Sequence, residues 1–265
     1  YTAGKMSNFT IRVDKKSVSG QYALTLVSES ITPWESDLVS HDAEGKAYIV
    51  INTTRGHLKG SIIAANKDYT KLKNLKITGE IDATDFEFMR NEMTQLEALN
   101  LKDVKVYGRF GNQEWNGISD NVEKEGVIPI GAMSDKKSLL YLVLPDKLEG
   151  IGECAFSNCI NISGSLMIPE GVTRIAYSAF ESCSGIKGNL SLPSTLKYIA
   201  GSGFKNCDFT CQLILPINLQ YIGDNAFEYN KGFYGNLNLQ DNLTYIGPYA
   251  FNFCSNLRGD LKIPQ

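Results

Sequence analysis

A period of 24 residues runs through the second half of this chain, and few folds accommodate it. Phe156, Phe180, Phe204, Phe227 and Phe251 are spaced 24, 24, 23 and 24 apart. Ile151, Ile175, Ile199, Ile222 and Ile246 keep the same step. A third column is Leu142, Leu166, Leu190, Leu213, Leu237 and Leu261, and a fourth is Leu144, Ile168, Leu192, Leu215, Leu239 and Ile263. Proline follows the fourth column at 145, 169, 193, 216 and 264, with Gln240 as the exception. One unit reads L-x-L-P-x-x-L-x-x-I-x-x-x-A-F-x-x-C. Periods of this length mean stacked supersecondary units, none of which can bury its apolar face alone.

The unit can be read physically. L-x-L is a short strand with both leucines on one side, because side chains alternate with period two. Proline stops it, since it cannot donate to a ladder. Leu148 and Ile151, three apart, suggest a turn or a short helical piece. Ala155 and Phe156 offer a small and a large residue for the back of the coil. The pattern reaches upstream in Leu72, Leu75 and Ile77, and 24 residues later in Leu96, Leu99 and Leu101. Between them, Asp82 to Arg90 reads as a short helix with an acidic start, which suits a helix N-terminus. Leu139, Leu142 and Leu144 come 43 residues on, so an insertion lies at about Tyr107 to Val127. It is rich in Gly and Asn, contains Trp115, and reads as a surface loop.

The run IGECAFSNC, RIAYSAFESC, YIGDNAFEYN and YIGPYAFNFC, together with L-x-L-P, resembles the BspA-like, or Treponema pallidum-type, leucine-rich repeats. The stretch LKNLKITGEIDATDFEFMR and LEALNLKDVKV resembles the opening segment of such proteins from gut Bacteroidetes. The resemblance covers roughly residues 57 to 265. It implies a secreted or cell-surface protein, of a kind often proposed as an adhesin for host proteins or other bacteria. The expected fold is a leucine-rich-repeat solenoid: an α/β repeat with short parallel strands, mostly β with short helical or 3-10 turns. A small β-rich segment, residues 1–56, precedes the solenoid of 57–265.

Within that first segment Phe9–Val13, Tyr22–Leu26 and Tyr48–Ile51 are strand-like, and Leu58 to Ala65 suits a short helix capping the first coil. Residues 1–46 are read either as a small β cap or as the remnant of a β-sandwich. At the other end, either the chain is truncated at Gln265 or the strand of Leu261 to Ile263 closes the stack. The chain opens at Tyr1, so a trimmed form is expected, with its signal segment removed and its place extracellular or on the bacterial outer surface.

Composition narrows function mainly by exclusion. A net charge of −3 without a basic face argues against a nucleic-acid binder. No apolar run approaches a membrane span of about 18 residues, so membrane association is peripheral at most. There is no serine elbow, P-loop, paired-histidine motif or dinucleotide fingerprint. His41 and His57 are the only histidines. No catalytic residue, cofactor or metal is expected. Cys159, Cys183, Cys207 and Cys254 each lie three residues after the repeat Phe, with Asn230 in the remaining slot. Such a column diverges along a solenoid, so it reads as a buried structural ladder rather than a metal site. Arg258-Gly259-Asp260 is the tripeptide that integrins read, but its slot recurs as Ser163-Gly164-Ser165, Lys187-Gly188-Asn189 and Tyr234-Gly235-Asn236. The glycine therefore belongs to the repeat, and a bulge or turn needing unusual backbone angles is expected there.

Binding is expected on outward strand positions, since solenoids commonly bind on the concave face. The candidates are Tyr141, Val143, Met167, Ser191, Ile214 and Asn238. A second set is the tyrosine column Tyr198, Tyr221 and Tyr245, read chiefly as stacking between coils. Trp115 in the insertion is a third, because long loops on rigid scaffolds often carry function. The resulting expectation is a non-catalytic binding or adhesion module that engages a protein on a host or bacterial surface. Alternatives are a glycan-binding protein of a polysaccharide system, or a repeat spacer of a larger protein.

Overall fold

The computed structural model describes residues 47–111 and 122–258 in full. For three earlier strands it describes the backbone: β1 (Lys5–Lys15), β2 (Tyr22–Pro33) and β3 (Val39–His41). The chain divides into two compact units, Tyr1–Tyr48 and Ile49–Gln265. In the first, β1 and β2 pair antiparallel from Lys5↔Pro33 to Lys15↔Tyr22, with an irregularity between Thr10 and Ile11. The strands read in the sequence at 9–13 and 22–26 lie inside this hairpin.

The second unit is a solenoid. Strand β4 (Ala47–Thr53) leads into helix α1 (Leu58–Ala64), which buries Leu58 and Ile62. Next come β5 (Asn74–Ile81), α2 (Ala83–Asn91) and β6 (Ala98–Asn100). β5 pairs in parallel with β4, Ile49 opposite Leu75 and Ile51 opposite Ile77. It then serves two strands, β6 through Asn74–Lys76 and β7 (Val104–Gly108) through Gly79–Ile81. Gly79 lies at the switch between them with φ +87°, and a Cβ there would lie 2.1 Å from the Thr53 carbonyl oxygen. Only glycine fits.

Helix α2 begins as its acidic start suggests. Asp82 accepts from the Thr84 N–H, and Asp85 reaches back to the Asp82 N–H. This reciprocal box satisfies donors the helix leaves open. Asp85 also accepts from Gly56 and Leu58 N–H at 2.8 and 2.9 Å, which ties the start of α1 to α2. At the other end the buried Lys136 ammonium donates to the Met89, Arg90 and Met93 carbonyls at 2.7–3.0 Å. One side chain from the next coil thus closes the helix C-terminus.

The insertion does not begin or end as a loop. Tyr107 and Gly108 pair antiparallel with β8 (Lys124–Glu125), and the return arm enters β9 (Val127–Ile128). Arg55 holds this root by stacking 4.2 Å from the Tyr107 ring and pairing with Glu123 at 2.5 Å. Residues 112–121, with Trp115, lie outside the described residues.

Beyond the insertion each coil contributes to two parallel ladders. The first is the L-x-L ladder: β10 (Tyr141–Val143) joins β6, and further on β12 (Leu166–Met167) pairs β14 (Leu190–Ser191). Bridges Gln212↔Tyr234 and Gly235↔Leu257 carry it further. The second is longer and continuous. It runs from β9 through β11 (Gly150–Ile151), β13 (Arg174–Ile175), β15 (Tyr198–Ile199) and β16 (Tyr221–Ile222) to β17 (Tyr245–Ile246). This corrects the expectation of a turn or helical piece between Leu148 and Ile151. A spacing of three between two buried residues fits a turn followed by a strand as well as it fits a helix. The β-branched isoleucines, in register from coil to coil, take the strand.

The core between the ladders is stacked in rows. Phe156, Phe180, Phe204, Phe227 and Phe251 lie ring on ring, with successive centroids 5.2–5.6 Å apart and planes within 11°. Phe209 and Phe233 form a second row at 5.6 Å. The coil turns back through two left-handed columns. One is Gly131, Cys154, Ser178, Ser202, Asn225 and Tyr249; the other is Asp135, Asn158, Ser182, Asn206, Tyr229 and Phe253. Glycine, asparagine and aspartate take such angles readily, whereas a bulky aromatic does not.

Candidate functional site

The cysteine column is part of the frame. Cys159 Sγ donates to the Met133 carbonyl at 2.9 Å. Cys183, Cys207 and Cys254 donate to the Phe156, Phe180 and Phe227 carbonyls at 3.1 Å. Asn230, in the same slot, donates to Phe204 O at 2.7 Å and Phe227 O at 2.8 Å. Each residue thus adds a side-chain donor to a buried carbonyl of the frame, where Met133, Phe156, Phe180 and Phe227 O each also accept the backbone N–H three residues on. Burial pushes the Cys159 thiol up to about 12 and that of Cys254 up to about 11. These are poor nucleophiles, because the thiolate is the reactive form. All six cysteines are free.

The integrin-like tripeptide falls in a structural slot. Gly164 and Gly235 take φ of +88° and +82°, as a turn glycine should, while Gly188 does not. The Arg258 N–H donates to the Gly235 carbonyl within the ladder. Gly259 and Asp260 lie outside the described residues, as do Leu261, Lys262 and Ile263.

The outward residues of the L-x-L ladder point to solvent. Met167 and Ile214 are 72% and 70% exposed, Tyr141 and Tyr234 are also exposed, and Val143 is half-buried. Ser191 is exposed between Met167 and Ile214, and Asn238 is exposed one coil beyond Ile214. Their in-row neighbours Leu166, Ile168, Leu213 and Leu215 are buried. The alternation that the sequence suggested therefore holds along this ladder.

Tyr198, Tyr221 and Tyr245 are not on that face. They sit on the second ladder, paired in register with one another. The ten candidate residues therefore do not form one surface. Tyr221 and Tyr245 stack at 4.6 Å with planes 14° apart.

The second ladder builds a groove that sequence reasoning missed. Ile151, Ile175, Ile199 and Ile222 are buried and Ile246 is 39% exposed, and the residues before and after each point to the opposite side of the strand. The preceding row is Gly150, Arg174, Tyr198, Tyr221 and Tyr245; the following row is Gly152, Ala176, Ala200, Gly223 and Gly247. The second row is small for a packing reason. A Cβ on Gly223 would sit 2.4 Å from the Gly201 nitrogen, and one on Gly152 2.6 Å from the Ile128 carbonyl oxygen. A small row beside a tall one leaves a trough of about 280 Å³. Its lining includes Glu153, Tyr177 and Asp224, one place beyond the small row, and Phe110 and Gly111 from the root of the insertion. Phe110 lies under Arg174, with 4.6 Å between guanidinium and ring centre, and over Gly150, where any Cβ would strike the ring at 2.2 Å. The signal was present in the sequence as a column of Gly and Ala directly after the isoleucine column, but reading it required knowing that this segment is a strand.

Among the described residues, no group of three His, Cys, Asp or Glu side chains is placed to hold a metal ion, and no helix is long and apolar enough to cross a membrane. The BspA type leucine rich repeat region matches residues 127–259 in six copies, half of the chain. The chain belongs to that family. Its solenoid is similar to three solved structures. A leucine-rich repeat protein from Bacteroides ovatus is 20% identical, with a TM-score of 0.47 over 94% of this chain and 68% of that one. A Treponema pallidum leucine rich repeat protein is 22% identical, with a TM-score of 0.34 over 52% of each chain. A leucine rich cell surface protein from Faecalibacterium prausnitzii is 17% identical, with a TM-score of 0.40 over 87% of this chain and 54% of that one. The chain thus spans about half the length of the last two. No protein of curated function matches it.

Proposed function

We propose that this BspA-type chain is a non-catalytic binding module held outside the cell, secreted or on the bacterial surface. It captures a protein partner on the outward face of its L-x-L ladder. The supporting observation is the exposure of Met167 and Ile214 on a backbone that the buried leucine rows hold in place. Most of each side chain faces solvent rather than the core. Burying each against a partner contributes about 1.5–3 kcal/mol. The protein reading is preferred because the two most exposed large side chains of this face, Met167 and Ile214, are apolar without a ring to stack on a sugar.

The test uses the doubly substituted Met167→Lys/Ile214→Asp chain as bait against host and bacterial surface extracts. Partner capture should fall at least tenfold, with circular dichroism and thermal midpoint unchanged. Undiminished capture by the folded double variant would remove this face from the account.

A further inference from the structure

Beside Met167 and Ile214, the outward face of the L-x-L ladder carries side-chain amides that the fold does not use. Of the fourteen asparagine and glutamine side chains between Asn161 and Asn256, nine donate a hydrogen bond within the chain. Most of the nine hold a backbone carbonyl. Asn161, Asn218, Asn242 and Asn256 do so to the preceding coil, at 2.7–2.9 Å. Gln220 is one of the other five. The remaining four, Asn189, Gln212, Asn236 and Asn238, are all exposed on the outward rows of this ladder, and among the described residues their side chains make no hydrogen bond. No outward residue of the ladder from Tyr141 to Asn238 is charged.

That combination selects a ligand chemistry. A side-chain amide offers the donors and the acceptor of a peptide bond. A charged segment brought against this face would lose its water and find no counter-charge. An uncharged main chain would find partners for its N–H and C=O groups in the amides. Those groups are open in an extended segment, whereas a helix bonds them internally. Met167 and Ile214 lie about two strand spacings apart, about 10 Å, with the small Ser191 between them, which leaves a notch for one aliphatic side chain. We propose that this face reads an uncharged, extended polypeptide segment. One aliphatic residue seats over Ser191, and the main chain bonds to Asn189, Gln212 and Asn236. This rests on the protein-capture reading above and adds what is recognised in the partner: main-chain amides and one apolar side chain, not charge.

The test follows the nitrogen-15-labelled full chain by NMR, in which the side-chain NH2 groups of Asn189, Gln212 and Asn236 give signals of their own. The probe is a capped nine-residue Gly/Ser peptide with leucine at its centre. Controls carry lysine or glutamate there, and maltohexaose and cellohexaose are titrated in parallel. The leucine peptide should shift the three NH2 signals and bind about tenfold more tightly than either charged peptide, as burial of one leucine gives. Its affinity should be unchanged between about 50 and 500 mM salt, since no charge pair is there to be screened. Asn189→Ala/Gln212→Ala/Asn236→Ala should weaken it about tenfold, with the backbone amide signals of the ladder in place. Equal binding of the three peptides, or NH2 signals unmoved by the leucine peptide, would overturn the proposal. Leucine-peptide binding that the Met167→Lys/Ile214→Asp chain loses and the triple alanine chain keeps would overturn the role of the amides while the protein-capture face stands. Shifts of the same NH2 signals by an oligosaccharide, without peptide binding, would overturn both.

Discussion

Replacing Phe204 by alanine tests whether the phenylalanine row holds the coils together. Phe204 is fully buried, stacks on Phe180 at 5.5 Å and on Phe227 at 5.6 Å, and meets the edge of Phe209 at 6.1 Å. Truncating a buried phenylalanine costs about 3–5 kcal/mol. Each aromatic pair contributes about 0.5–1.5 kcal/mol beyond its area. Three pairs place Phe204→Ala at the top of the range, about 5 kcal/mol. Phe251 is the same residue in the same column, but among the described residues it stacks only on Phe227, and it is half-buried. Its truncation should cost about 2 kcal/mol, scaling the same terms to one pair and partial burial. Urea unfolding followed by far-ultraviolet circular dichroism measures both. With a slope of about 2–3 kcal/mol/M, the Phe204→Ala midpoint should fall by about 2 M, and the Phe251→Ala midpoint by less than half as much. Equal shifts would refute the nearest-neighbour reasoning, because that reasoning predicts a cost that depends on the number of stacked partners.

Three further outcomes follow from the same frame. Cys207→Asn should fold with a thermal midpoint within a few degrees of the unmodified chain, since Asn230 already fills that slot with two donated bonds; Cys207→Asp should be strongly destabilised by its buried charge. Burial raises the Cys159 thiol from its ordinary value near 9 to about 12. Its contribution is therefore complete below pH 9 and lost as pH rises toward 12, so a Cys159→Ala chain should show a flatter decline in stability over that window. Tyr249 holds a left-handed angle of +59° and is exposed, while Asn225 occupies the same position one coil earlier; Tyr249→Asn should stabilise by up to about 1 kcal/mol, read as a rise in thermal midpoint.

The repeat was legible because packing repeats. Ile151 to Ile246 and Phe156 to Phe251 fill the same places in successive coils, so their spacing shows in one sequence. Helix α2 was legible from Asp82 and its acidic first turn. The second ladder was not. Two-residue strands such as Tyr198–Ile199 are too short for alternation to declare itself, and their pairing depends on the neighbouring coil rather than on local sequence. The left-handed columns were also hidden, since serine, cysteine and tyrosine occupy positions where glycine or asparagine would have signalled a turn. The trough stayed out of reach for a related reason. Glu153 and Asp224 are 71 positions apart in the sequence. Only the ladder register brings them to one edge.

The central claim is that two parallel ladders, not one, frame this solenoid and carry its outward faces. Residue-resolved hydrogen–deuterium exchange tests it directly. The second ladder bonds Gly152 N to Ile128 O, Ala176 N to Ile151 O, Ala200 N to Ile175 O and Gly223 N to Ile199 O at 2.8–2.9 Å. Those four amides should be protected as strongly as Leu166 and Ile168 of the L-x-L ladder. Exchange at all four as fast as in the exposed turns would contradict the second ladder, and with it the trough.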